Sequence, residues 1–137
     1  MLQRDYIMRL IREFMAALQL LLEGKDVERR REELKKLYEQ YIGPYVLYHN
    51  ATIDEAMRAL ASYDESQRLE RMEMLAELYY AEADTVTGPD RNTLLDKAFC
   101  LFDFIEQHGK TFSMERRYKM ALIEQSLKKG SSKTRCE

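Results

Sequence analysis

Apolar residues recur every three to four positions through most of the chain. From Asp5 to Glu23 the series Ile7, Leu10, Ile11, Phe14, Ala17, Leu18 and Leu21 traces one helical face. Met8, Met15 and Leu22 widen that face. A helix this apolar is expected to touch several neighbours, or to offer part of its surface to a second chain. Gly24 supplies a stop, and Asp26 reads as the N-cap of a second helix running to Ile42. Its apolar set is sparse: Val27, Leu34, Leu37, Tyr38, Tyr41 and Ile42. The "ERRREELKK" stretch marks it as an outer helix packed on one side, and Gly43-Pro44 ends it.

Residues 44–51, "PYVLYHNA", read as an aromatic connector. Thr52-Ile53-Asp54-Glu55 is a capping box that opens a short helix to about Ser62. Asp64-Glu65-Ser66-Gln67 is a second box, opening a helix over 65–87 that stops at Gly88-Pro89. Over 90–108, Leu94, Leu95, Ala98, Phe99, Leu101, Phe102 and Ile105 leave little polar surface, which predicts the most buried helix. Ser113 caps a last helix, 114–129, with Tyr118, Ala121, Leu122 and Leu127 inward. Period-2 alternation and hairpin dipeptides are absent. The expected fold is all-α: an antiparallel bundle of five long helices and one short, in a single domain over 1–129. Residues 130–137 lack an apolar anchor and are expected to be a disordered tail.

The stretch "MEMLAELYYAEAD" at 72–84 separates by helical face. Leu69, Met72, Leu75, Ala76, Tyr79, Ala83 and Val86 form a core stripe, which Met74, Leu78 and Ala81 widen. Tyr79 is expected in the core with its hydroxyl bonded to a partner. Glu73, Glu77, Tyr80 and Asp84 share the opposite side. That stripe is a candidate binding face, set against the plainer reading of a solvated acidic surface.

Charge sharpens the picture. Residues 1–43 hold 9 basic and 8 acidic side chains (+1), residues 44–108 hold 5 and 13 (−8), and residues 109–137 hold 8 and 3 (+5). The acidic middle would repel phosphates, so nucleic-acid binding there is not expected. The basic end, including Arg116, Arg117, Lys119, Lys128 and Lys129, reads as a solvated helix that complements the middle. No run is long and apolar enough to cross a membrane, and no signal-peptide cleavage pattern follows Phe14–Leu22. The two cysteines show no disulfide or zinc spacing, and Cys100 sits in an apolar run as an inert packing residue. A reducing, cytoplasmic setting follows from that reading.

Reactive constellations are sparse. Glu-x-x-His pairs, Ca²⁺ loops, phosphate loops and Gly-x-Ser-x-Gly are missing, so no metal, cofactor or catalytic residue is assigned. His108 is expected to bond carbonyls at its helix end. Tyr45, Tyr48 and His49 form a candidate ligand pocket in the connector, competing with a loop that only covers the core.

Leu75 and Tyr79 on one helix, followed by Ala98 and Phe102 in "KAFCLFDFIEQHG", resemble the tetratricopeptide helix pair. The gap between Tyr79 and Ala98 is longer than that repeat uses, and no period of about 34 residues recurs. The segments "DYIMRLI", "IGPY", "RMEMLAELYYAEAD" and "LLDKAFCLFDFIEQHGKTFS" are similar to a family of all-helical bacterial proteins from gut anaerobes, classed as a domain of unknown function. The resemblance implies a helical, tetratricopeptide-like fold in a bacterial cytosol and carries over no site residue.

The leading expectation is therefore a non-catalytic interaction module that binds a peptide, a protein or a second copy through the first helix. One alternative is a small-molecule-binding protein or enzyme at the 44–51 connector, with Glu77 or His108 moving a proton. Another is a basic C-terminus that contacts nucleic acid or an acidic surface.

Overall fold

Short polar caps set where most of the helices begin. The computed structural model describes residues 2–110 and 112–129. Among them are seven helices and no strand: α1 (Leu2–Leu22), α2 (Val27–Tyr41), α3 (Tyr45–Asn50), α4 (Ile53–Leu60), α5 (Glu65–Ala83), α6 (Gly88–His108) and α7 (Met114–Lys129). Asp26 accepts from the Glu28 and Arg29 amides, and Asp64 accepts from the Ser66 amide. Thr52 and Glu55 close the reciprocal box on α4. Ser113 Oγ accepts from the Arg116 amide at the start of α7. Each such cap satisfies a donor that the helix cannot satisfy itself, a contribution of about 1 kcal/mol. Asp64 makes only half of the second box, because Gln67 turns its amide oxygen to Arg71.

The count of six helices is corrected to seven. The connector around Tyr45, Tyr48 and His49 is itself a helix, α3. No side chain caps it from Pro44; its first amide, Tyr45 N, is bonded instead by Glu39 at 2.8 Å. Its last carbonyls are taken from a distance. Tyr79 Oη donates to Tyr48 O at 2.6 Å, and Lys97 Nζ donates to His49 O at 2.9 Å and Ala51 O at 3.0 Å. α5 also ends earlier than the pattern predicts, at Ala83, where Thr85 folds back to bond the Glu82 carbonyl. Gly88-Pro89 opens α6, with Gly88 at φ +67°, where a side chain would be strained.

α5 lies at the centre, against α1, α2, α4 and α6. Eleven of its 19 residues are buried, against eight of 21 in α6, so the helix expected to be most buried is not. α2 runs antiparallel to α5: Arg31 near its start donates to Thr85 O, and Tyr41 at its end meets Arg71. α7 runs antiparallel to α6, joined by Arg91–Ser126 at one end and Arg116–Glu106 at the other. Its inward face is Arg116, Ile123 and Leu127, with Lys119 partly buried. Tyr118 and Ala121, expected inward, are exposed. The expected tail, 130–137, lies outside the described residues.

Gly43 lets α3 fold back against α2. A Cβ at this position would lie 2.8 Å from Cε2 of the buried Tyr48 ring. Gly43→Ala should therefore lower stability by about 1–3 kcal/mol in urea unfolding, with α3 losing its fixed packing. Unchanged stability would mean that the Tyr48 ring moves freely.

Candidate functional site

The densest polar arrangement centres on a residue that the helical wheel did not single out. Glu82 is only 3% exposed, between Ala81 and Ala83 on α5. A buried carboxylate survives only if its oxygens are bonded. Tyr38 of α2 donates to Oε1 at 2.7 Å, and Tyr45 of α3 donates to Oε2 at 2.6 Å. His49 Nδ1 stands 2.9 Å from the same Oε2. Burial first, and then Glu82, push the Tyr38 and Tyr45 hydroxyls above the ordinary phenol range.

These contacts fix the histidine. Tyr45 Oη is also 3.1 Å from His49 Nδ1, and the two rings stack with centroids 5.0 Å apart. The single Tyr45 proton goes to Glu82, so the third hydrogen bond is assigned to Nδ1–H of His49. Beside them, the Lys97 ammonium lies 4.5 Å from the centre of the Tyr79 ring while bonding the α3 carbonyls. Burial lowers its pKa, and the Glu82 charge opposes that shift. A cleft of about 570 Å³ opens next to this cluster, between the end of α3 and the first turns of α6. His49, Asn50, Thr52, Asp90, Thr93 and Lys97 are among its lining residues.

The structure brings Tyr45 and His49 of the connector together, with Tyr38 and Glu82 beside them. Tyr48 belongs to the core and contributes its carbonyl. Glu77 and His108 do not join the group. Glu77 faces α7, and His108 bonds its own helix through Phe104 O at 3.0 Å. Cys100, at the edge of the cleft, is disulfide-bonded, whereas its place in an apolar run predicts an inert packing residue. Cys136, the chain's other cysteine, lies outside the described residues. This removes the cysteine argument for a reducing compartment.

The acidic stripe of α5 faces the chain's own basic helix. Glu77, 5% exposed, is bonded by Lys119 Nζ at 2.7 and 2.9 Å. Arg116, 2% exposed, reaches Glu73 at 3.8 Å and Glu106 at 2.6 Å, and Arg117 adds a second contact to Glu106. Lys119 also stands 5.7 Å from the Tyr80 ring centre. Tyr80 and Asp84 border a small crevice with Arg91, and Asp84 is exposed. The charges of α7 that read as solvated, Arg116 and Lys119, are therefore engaged inside the fold. Among the described residues, no group of three or more His, Cys, Asp and Glu is placed to hold a metal ion. No helix there is long and apolar enough to cross a membrane.

Burial raises the Glu77 pKa above 4.5, and Lys119 pulls it only part of the way back. A raised carboxylate pKa favours folding below the unfolded value and costs stability as pH rises through the folded value. Lys119→Met should thus destabilise the protein by on the order of 1–3 kcal/mol at neutral pH, because it strands a buried charge. The loss should shrink as pH falls towards 4.5. Adding Glu77→Gln should restore most of it. Chemical denaturation of the wild type and the two variants across pH checks this, and a pH-independent loss would contradict it.

No family model, no curated protein and no solved structure matches the chain.

Proposed function

We propose that the protein is a non-catalytic helical binding module, and that the groove between α1 and α2 receives an acidic, amphipathic segment of a partner protein. The groove encloses about 550 Å³. Its floor is apolar, formed by Ala17, Leu20, Leu21 and Leu37, and Leu20 is 71% exposed. Its rim is basic, with Lys25, Arg29 and Arg30. The acids on the same rim are committed: Asp26 caps α2, and Glu33 pairs with Lys36 at 3.2 Å. Arg30 Nε is buried without a hydrogen-bond partner among the described residues.

What carries the reading is this exposed leucine in a groove shared with Lys25, Arg29 and Arg30, side chains that form no ion pair among the described residues. A Leu-sized anchor on the floor supplies about 1.5–3 kcal/mol. Each carboxylate at the exposed rim adds roughly 0.2–1 kcal/mol. Recognition of an amphipathic helix in a groove uses this combination of apolar anchors and flanking charge. Paired helices joined by short loops, as in tetratricopeptide repeats, suit such grooves.

The test uses a synthetic helical peptide with leucines on one face and glutamates on its flanks, alongside a copy with lysine in place of each glutamate. The glutamate peptide should bind by fluorescence anisotropy, and the lysine peptide should not. Leu20→Asp should abolish binding, and Arg29→Glu should weaken it by about tenfold, since about 1.4 kcal/mol is one decade. Equal binding of both peptides, or none by either, would overturn the reading. A dimer by light scattering that Leu20→Asp dissolves would also overturn it, by giving the groove to a second copy.

A further inference from the structure

Three largely buried groups, Glu82, Tyr38 and Lys97, act together on one half-exposed imidazole. Glu82 holds Nδ1 of His49, Tyr38 occupies the other Glu82 oxygen, and Lys97 pins the His49 and Ala51 carbonyls. Such a network seldom stabilises a fold more than apolar residues of the same volume would. What it provides here is a histidine with a fixed ring plane and a fixed tautomer. When the ring is neutral, its proton sits on Nδ1 against Glu82 and its lone pair on Nε2. That atom has no hydrogen-bond partner among the described residues, and His49 lines the cleft.

The walls of the cleft narrow what it can take. Ile53, Val86 and Leu94 are apolar. The α6 wall carries Asp90 in the first helical turn, where it offsets the attraction of that helix end for anions. Lys97 also lines the cleft, but its ammonium is engaged by two carbonyls and the Tyr79 ring. The cleft therefore presents a nitrogen acceptor, two lining acids (Asp90 and Asp96) and alkyl surface, with its cation already engaged. We infer that it is a binding site for a small organic cation, an alkylamine whose ammonium donates to His49 Nε2 and Asp90 while its chain lies on Ile53, Val86 and Leu94. The site shares no residue with the α1–α2 groove, so either reading stands or falls without the other.

Putrescine, butanediol and succinate have four-carbon skeletons and differ in end-group chemistry, which makes them suitable probes. Calorimetric titration of the full chain at low salt should show putrescine binding, butanediol at least about tenfold weaker and succinate not at all. His49→Gln and Asp90→Asn should each weaken putrescine by about tenfold. Asp90 is exposed, so its variant keeps the test open if the His49 variant fails to fold. In the wild type, the Nε2 resonance of His49 should move on titration while Nδ1 stays protonated. No heat with putrescine, binding that Asp90→Asn leaves unchanged, or preference for succinate would overturn the assignment.

Discussion

A helix buried on nearly every side must find a partner for each charge it carries, and α5 carries several. Arg71, Glu77 and Glu82 are all buried on it. An unpaired charge in that position costs several kcal/mol, so neighbouring helices are constrained to bring partners to it. α2 supplies Tyr38 to Glu82 and the Tyr41 carbonyl to Arg71. α3 supplies Tyr45 and His49. α7 supplies Lys119 to Glu77. The placement of three other helices follows from the needs of one. The Arg71 guanidinium adds a further constraint by stacking on Tyr63, whose hydroxyl bonds the Ile42 carbonyl at the end of α2.

α3 shows how far such constraints reach. Six residues without a side-chain cap have little helical tendency alone, because the cost of nucleation is spread over too few hydrogen bonds. Its ends are satisfied by Glu39, Tyr79 and Lys97, which lie on α2, α5 and α6. The segment is helical because the bundle makes it so, and the same contacts orient His49. Packing and site geometry are therefore one problem in this part of the molecule.

Features that depend on nearby residues were legible in the sequence. The all-α class, the caps at Asp26, Thr52, Asp64 and Ser113, and the core stripe of α5 with the buried Tyr79 all follow local rules. Features that depend on distant partners were not. α3 was hidden because its partners come from elsewhere in the chain. The inward face of α7 was misjudged because hydrophobicity pointed to Tyr118, whereas Arg116 and Lys119 turn inward to meet carboxylates on α5 and α6. Glu82 lies outside both stripes of the α5 wheel. Its one signal was its setting between two alanines, in a chain whose connector, 44–51, crowds tyrosines and a histidine but holds no acid of its own.

α5 is the most deeply held element of the fold, with its charges paired inside the chain. Native-state hydrogen exchange probes this placement. The amides of residues 74–79 should be the slowest to exchange, opening only with global unfolding. If those amides exchange through a smaller opening while the middle of α6 stays protected, α5 is not the element on which the rest is built.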